Sequence, residues 1–151
     1  SPLAAQLLLT TLSSIEDNSY NLTPQDENKV SFSPKLKKED GRIDWNKPAG
    51  DISNLIRGCI SWPGAFTYYN NKLLKIYKTK ASPCVCGPSS SVVGKIISIS
   101  KEGIVVATGK DNLIIEELQI EGKRMMKVEE FITGHKICVG EIFNKKNKNK
   151  K

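Results

Sequence analysis

Apolar positions along the chain fall into three regimes. Leu3, Leu7, Leu8, Leu12 and Ile15 recur near the spacing of one helical face, between Pro2 and Asn18, and predict an amphipathic helix. From Tyr20 to Ile43 no period is sustained. Pro24 and Pro34 interrupt a polar stretch that reads as an extended linker. Helical spacing returns with Ile52, Leu55, Ile56 and Cys59, with Asn46 as the expected N-cap and Pro48 in the first turn. Pro63 and Gly64 end it. The remainder reads as β. "AFTYY" and "KLLKIYK" flank Asn70-Asn71, a hairpin signal. "VVGKIISIS", "IVVAT" and "NLIIEELQIE" predict further strands, with a turn at Lys101-Glu102-Gly103 and a break at Gly122. "VEEFITG" predicts a short helix and "VGEIF" a closing strand. Five or six short strands with a helix before and another late fit a small barrel, closed or partly open.

Composition adds limits. The chain has 151 residues and 38% hydrophobic content, enough for one domain with appendages and a modest core. No apolar run approaches the roughly 20 residues of a membrane helix. The opening "SPLAAQLLLTTLSSIED" has no basic n-region, so it is not a signal peptide. It also lacks an initiator Met, and an isolated helix of this length is marginal in water. A fragment that begins inside a larger protein is the expectation.

Charge is uneven. Of the net +7, the excess lies between residues 32 and 80, where ten basic groups face four acidic ones, and in the tail from Asn144 to Lys151. Clustered cations of this kind favour a polyanion partner. Lys35, Lys37, Lys38, Arg42 and Lys47 lie along the linker; Arg57, Lys72, Lys75 and Lys78 lie near the second helix and the hairpin. These nine are the candidate RNA-binding residues. Odd spacing keeps Lys72, Lys75 and Lys78 from sharing one face of a regular strand, so at most two act together unless the strand is bulged. Trp45, Trp62, Tyr68, Tyr69 and Tyr77 interleave with the cations. Stacking on bases is open to them, although core packing is the expectation for Trp45 and Trp62.

Catalytic chemistry has little material. There is one histidine, His135, so neither a Ser–His nor a Cys–His pairing is indicated. Glu116-Glu117 and Glu129-Glu130 are sequence neighbours, and solvated surface is the expectation for them. No glycine-rich phosphate loop is present. Of the four cysteines, only Cys84 and Cys86 are close, and no second pair completes a metal site. Free thiols in a reducing cytosol are expected.

Several stretches carry a family likeness: "PQDE" (Pro24–Glu27), "PKLKKEDGRIDW" (Pro34–Trp45), "IRG" (Ile56–Gly58), "WPGAF" (Trp62–Phe66), "LKIYK", "LQIEGKRMM" (Leu118–Met126) and "GEIF" (Gly140–Phe143). The chain resembles methionyl-tRNA formyltransferases where the catalytic domain passes through a linker into the C-terminal domain. Related folate-dependent formyltransferases and a formyltetrahydrofolate dehydrogenase share the "GRIDW" and "PGA" portions. The resemblance implies a terminal helix of an absent Rossmann-like catalytic domain (1–20), an extended basic linker (21–43) and an OB-like C-terminal barrel (44–143); the Lys/Asn tail (144–151) matches nothing in the family and is expected to be disordered from its composition. It further implies a cytoplasmic, monomeric parent enzyme that transfers a formyl group from 10-formyltetrahydrofolate to the amino group of initiator methionyl-tRNA. The catalytic Asn, His and Asp belong to the absent domain, so this chain is expected to be inactive alone and to bind no cofactor. Its partners would be initiator methionyl-tRNA and the catalytic domain in cis, with no membrane. The lysines and Arg42 would touch tRNA phosphates, while Ile43 and Trp45 anchor the linker to the barrel. The alternative is a bracing domain of a related formyltransferase or dehydrogenase without RNA binding.

Overall fold

The computed structural model describes residues 2–83 and 92–143. The Cys84-Cys86 loop and the Lys/Asn tail lie outside the described residues. The chain divides into two compact units, Ser1–Pro34 and Lys35–Lys151.

In the first unit, helix α1 (Pro2–Glu16) has no buried residue. Leu3, Leu7, Leu8 and Leu12 are all at least half exposed, so the apolar face foreseen in the sequence is present and open. The helix ends on Asn18 in the left-handed region (φ 51°), with Ser19 N–H donating to the Ser14 carbonyl at 2.9 Å. Asn tolerates this conformation better than most residues, which is why it serves as a helix stop. One 3-10 turn, Glu27–Lys29, follows.

The second unit begins at Lys35, inside the segment read as linker and upstream of Asp44. A 3-10 turn at Lys38–Gly41 leads into a strap, residues 42–48, whose Ile43 and Trp45 are buried. Helix α2 runs over Ala49–Gly58, and Ile52, Ile56 and Cys59 are its buried stripe. Asn46 is not its N-cap. Pro48 occupies that position without a side-chain cap, and Asn46 instead donates from its backbone N–H and its Nδ2 to Asp44 Oδ1. Asp44 and Asn46 form a turn of their own two residues too early to cap the helix.

The sheet consists of β1 (Phe66–Tyr69), β2 (Lys72–Ser82), β3 (Ile96–Ile99), β4 (Ile104–Ala107), β5 (Asn112–Ile120) and β6 (Met126–Lys127). Its order is β1-β2-β5-β4-β3, with β6 on β5, all pairs antiparallel. The β1–β2 hairpin turns on Asn70 and Asn71, both at positive φ, as a two-residue primed turn requires. Helix α3 (Val128–Gly134) closes on the core with Val128 and Phe131. The expected closing strand "VGEIF" is reduced to one bridge, Lys95 with Ile142. Gly140 at φ 95° bends the chain there, so a continuous ladder cannot form.

The curled half-barrel is fastened at both edges. At β1, Ile43 N–H donates to the Phe66 carbonyl (2.8 Å) and Trp45 Nε1–H to Thr67 Oγ1 (3.2 Å). The strap's far end meets the β4–β5 turn, where Gly109 N–H donates to the Trp45 carbonyl (3.0 Å) and Ala49 N–H to that of Lys110 (2.9 Å). At the β3 side, Phe143 N–H donates to the Gly94 carbonyl (2.9 Å). The Phe143 ring stacks on Trp45 (centroids 5.7 Å apart) and meets Tyr69 edge-on. The Tyr69 hydroxyl donates to Glu141 Oε2 at 2.7 Å. Burial, and then the adjacent carboxylate, push its pKa up, so it stays a donor. Trp45 is packed as expected. Trp62 is not: it is 54% exposed, because it follows the end of α2 at a corner that turns away from the core.

Candidate nucleic-acid interface

Alternation along β1 and β2 separates two faces. Tyr69, Leu74 and Ile76 belong to the core; Phe66, Tyr68, Leu73, Lys75 and Tyr77 occupy the alternate positions on the other face. Across that face Arg42 pairs with Phe66, Phe66 with Lys75, and Lys75 with Gln119. The Tyr77 hydroxyl donates to Gln119 Oε1 at 2.7 Å. Phe66 itself is buried, so this face offers the half-buried rings of Tyr68 and Tyr77 beside an arginine and a lysine, a mixture that single-stranded nucleic acids stack and pair on.

Two glycines bring the lysine-rich turn to this face. A Cβ on Gly41 would lie 2.2 Å from the Gly64 carbonyl oxygen, so only glycine allows the turn to approach the corner after Trp62-Pro63. Gly64 in turn lies under the Lys75 side chain, whose Nζ would be 3.9 Å from a Cβ placed there. The "DGR" and "WPGA" stretches are therefore in contact. Arg42 and Lys75 thereby flank Phe66, with Lys37 and Lys38 in the turn that leads into Arg42. Asp40 does not neutralise them as an ion-pair partner; its Oδ2 accepts the Lys37 backbone N–H at 2.7 Å. Among the described residues, none of these four cations is in a salt bridge.

The other candidates are placed elsewhere. Lys78 stands at a register shift in β2, and it and Lys80 both reach Glu116, at 3.3 and 2.7 Å. Lys80, then Lys78, hold the Glu116 carboxyl below its ordinary range. The bulge that the odd lysine spacing called for is present, but it delivers Lys78 to a carboxylate. Lys72 is at the hairpin tip beside Asn71. Arg57 donates to Asn54 Oδ1 (2.9 Å) at the end of α2. Lys47 is exposed at the other end of the strap, its carbonyl accepting from Gly109. Lys35 opens the unit and is exposed.

Two residues of this region escaped the sequence reading. Phe66 shares the alternate positions of β1 with Tyr68, yet it is buried, which alternation alone does not signal. Trp62 was assigned to the core, and no local signal separates it from Trp45.

Concavities border the barrel among the described residues. One of about 390 Å³ is lined by Arg42, Trp45, Thr67, Tyr68, Val93 and Phe143 among others. A wider one of about 1040 Å³ lies between the β5–β6 turn and α3, with Lys123, Arg124, Met125, Lys127 and His135 on its walls. Charge in the wider groove is mixed, since Arg124 pairs with Glu130, and Lys101 with Glu129. His135 stacks on Phe131 (centroids 4.5 Å apart). Among the described residues no group of three or more His, Cys, Asp or Glu could hold a metal ion, and no helix is long and apolar enough to cross a membrane.

Known proteins share this architecture. The chain is 42% identical over 140 residues to methionyl-tRNA formyltransferase of Alkaliphilus oremlandii, covering 93% of this chain and 44% of that protein. It is 37% identical over 147 residues to methionyl-tRNA formyltransferase of Citrifermentans bemidjiense, covering 97% and 45%. The chain thus spans less than half the length of these relatives. Among solved structures, a variant of HypX from Aquifex aeolicus superposes with a TM-score of 0.56 at 18% identity, over 88% of this chain and 24% of that one. That likeness is one of fold. Residues 35–136 match the family described as formyl transferase, C-terminal domain, and the chain belongs to it.

Proposed function

We propose that this chain is the tRNA-contacting C-terminal part of a methionyl-tRNA formyltransferase. The parent enzyme would move a formyl group from 10-formyltetrahydrofolate to the amino group of initiator methionyl-tRNA in the cytoplasm. The chemistry would reside in a catalytic domain in cis, with 10-formyltetrahydrofolate bound there and not here. The observation that carries the RNA role is the placement of Arg42 and Lys75 on either side of Phe66, with Lys37 and Lys38 in the turn that leads into Arg42, without carboxylate partners among the described residues, beside a sheet face with aromatic rings. Cations so placed grip phosphates and release counterions, which gives affinity without reading sequence. Lys35, Lys47, Arg57 and Lys72 would extend the field around this centre, with Lys78 contributing least.

A salt titration of tRNA binding tests the reading. The logarithm of the binding constant should fall linearly with the logarithm of salt, and initiator and elongator tRNAs should bind within tenfold of one another. Absence of tRNA binding at low salt would leave a bracing domain of a related formyltransferase as the better account.

A further inference from the structure

We infer that the 390 Å³ concavity beside the strap is a subsite for one unstacked nucleobase of the bound RNA. This rests on the RNA reading above and extends it from phosphates to a base. The size is that of a small-ligand pocket. Its accessible apolar lining includes Ile142, 38% exposed, with the nearly fully buried stacked pair Trp45 and Phe143 set behind it. Its wall is the half-buried ring of Tyr68, held edge-on against Phe66 with centroids 6.0 Å apart. A flat ring with apolar faces fits between such surfaces, whereas a sugar or a hydrated ion would lose water without replacement contacts.

Polar groups lie at its edge. Thr67, nearly fully buried, accepts from the Trp45 indole at 3.2 Å and fixes that ring behind the lining. The Asn46 amide nitrogen donates to Asp44 (2.8 Å), which leaves the amide oxygen as an acceptor for an exocyclic amine. Asp44, held by Asn46, would repel a phosphate on its side. The Arg42 guanidinium, in no salt bridge among the described residues, is the group to receive the phosphate of the same nucleotide. The cations at Lys35, Lys37 and Lys38 precede it along the chain and supply the complementary charge. Single-stranded RNA, whose bases can swing out, meets this combination; a duplex does not.

The two tryptophans make the test direct. Trp62→Phe removes the exposed indole and leaves Trp45, just behind the subsite's accessible lining, as the sole tryptophan reporter. In that background, hexaadenylate RNA should quench Trp45 fluorescence saturably, and an abasic ribose-phosphate hexamer of equal charge should not. Tyr68→Leu should weaken hexaadenylate binding about tenfold, while Tyr68→Phe, which keeps the ring, should bind as the parent does. Thermal melting of both variants separates a lost contact from a lost fold. If the abasic oligomer quenches equally, or Tyr68→Leu binds hexaadenylate unchanged, while tRNA still binds with a steep salt dependence, the subsite is wrong and the phosphate grip stands. If neither tRNA nor either oligomer binds at low salt, both readings fall together.

Discussion

Two lysine-rich regions of this molecule look alike in sequence and differ in what surrounds them. In the turn and strap from Lys37 to Arg42, the nearby carboxylate of Asp40 is spent on a backbone N–H, and the cations project without acidic partners among the described residues. In the central part of β2, Lys78 and Lys80 converge on the side chain of Glu116. In the first arrangement Glu39 and Asp40 lower the local net charge, yet the cationic groups remain free to take a phosphate contact; in the second a carboxylate already occupies both lysines. Counting lysines therefore overstates the surface that can hold RNA. What matters is whether the fold has already supplied an anion.

The comparison can be broken most severely at the strap. Trp45→Ala removes the ring that joins β1 to Phe143 and should cost about 3–5 kcal/mol, read as a fall in the urea midpoint. Trp62→Ala, at an exposed corner, should stay within about 0.5 kcal/mol. Equal losses would mean that the strap does not fasten the barrel. Next, Gly41→Val should push the lysine turn off the Gly64 carbonyl. A loss of about 1–3 kcal/mol is expected, and tRNA affinity should fall although no cation has been removed. Retained affinity would show that the turn works without its docking contact.

Smaller effects sharpen the contrast. Replacing Lys37, Lys38 and Arg42 by Ala should lower the salt slope of tRNA binding by roughly 0.7–0.9 for each contact removed. The double change Lys78→Ala, Lys80→Ala should leave it nearly as it was; an equal drop would erase the distinction between the regions. Glu116→Gln should do the reverse, freeing two lysines and steepening the slope. It should also cost about 1 kcal/mol of stability near neutral pH. The sign follows from the lowered pKa of Glu116 in the fold. Its stabilisation is complete above the ordinary carboxylate range and is lost as pH falls through the lowered value. Parent and Glu116→Gln should thus converge in strongly acidic solution, as urea midpoints at the two pH values would show.

Much of this architecture was legible. The α1 and α2 stripes, the Asn70-Asn71 hairpin, the β5 run and the α3 helix follow from spacing and turn chemistry, which are local properties. Asn46 misled because two polar turns compete for the same residue, and the nearer carboxylate of Asp44 won. "VGEIF" misled because a strand needs an uninterrupted partner edge, and Gly140 bends away after one bridge. Lys75 and Lys78 could not be told apart from sequence, since the register shifts that separate them arise from pairing with β5.

By itself the sequence determined where most helices and strands form and that cations dominate the middle of the chain. These rest on residue type and near-neighbour spacing. Only the tertiary structure decided which tryptophan is core and which is surface, which glycines permit a backbone contact, and which lysines are already paired with a carboxylate. Each of those depends on an atom far along the chain: the Gly64 carbonyl for Gly41, Phe143 for Trp45, Glu116 for Lys78. Proximity across a folded sheet is a property of the whole pairing register, and no window of sequence contains it.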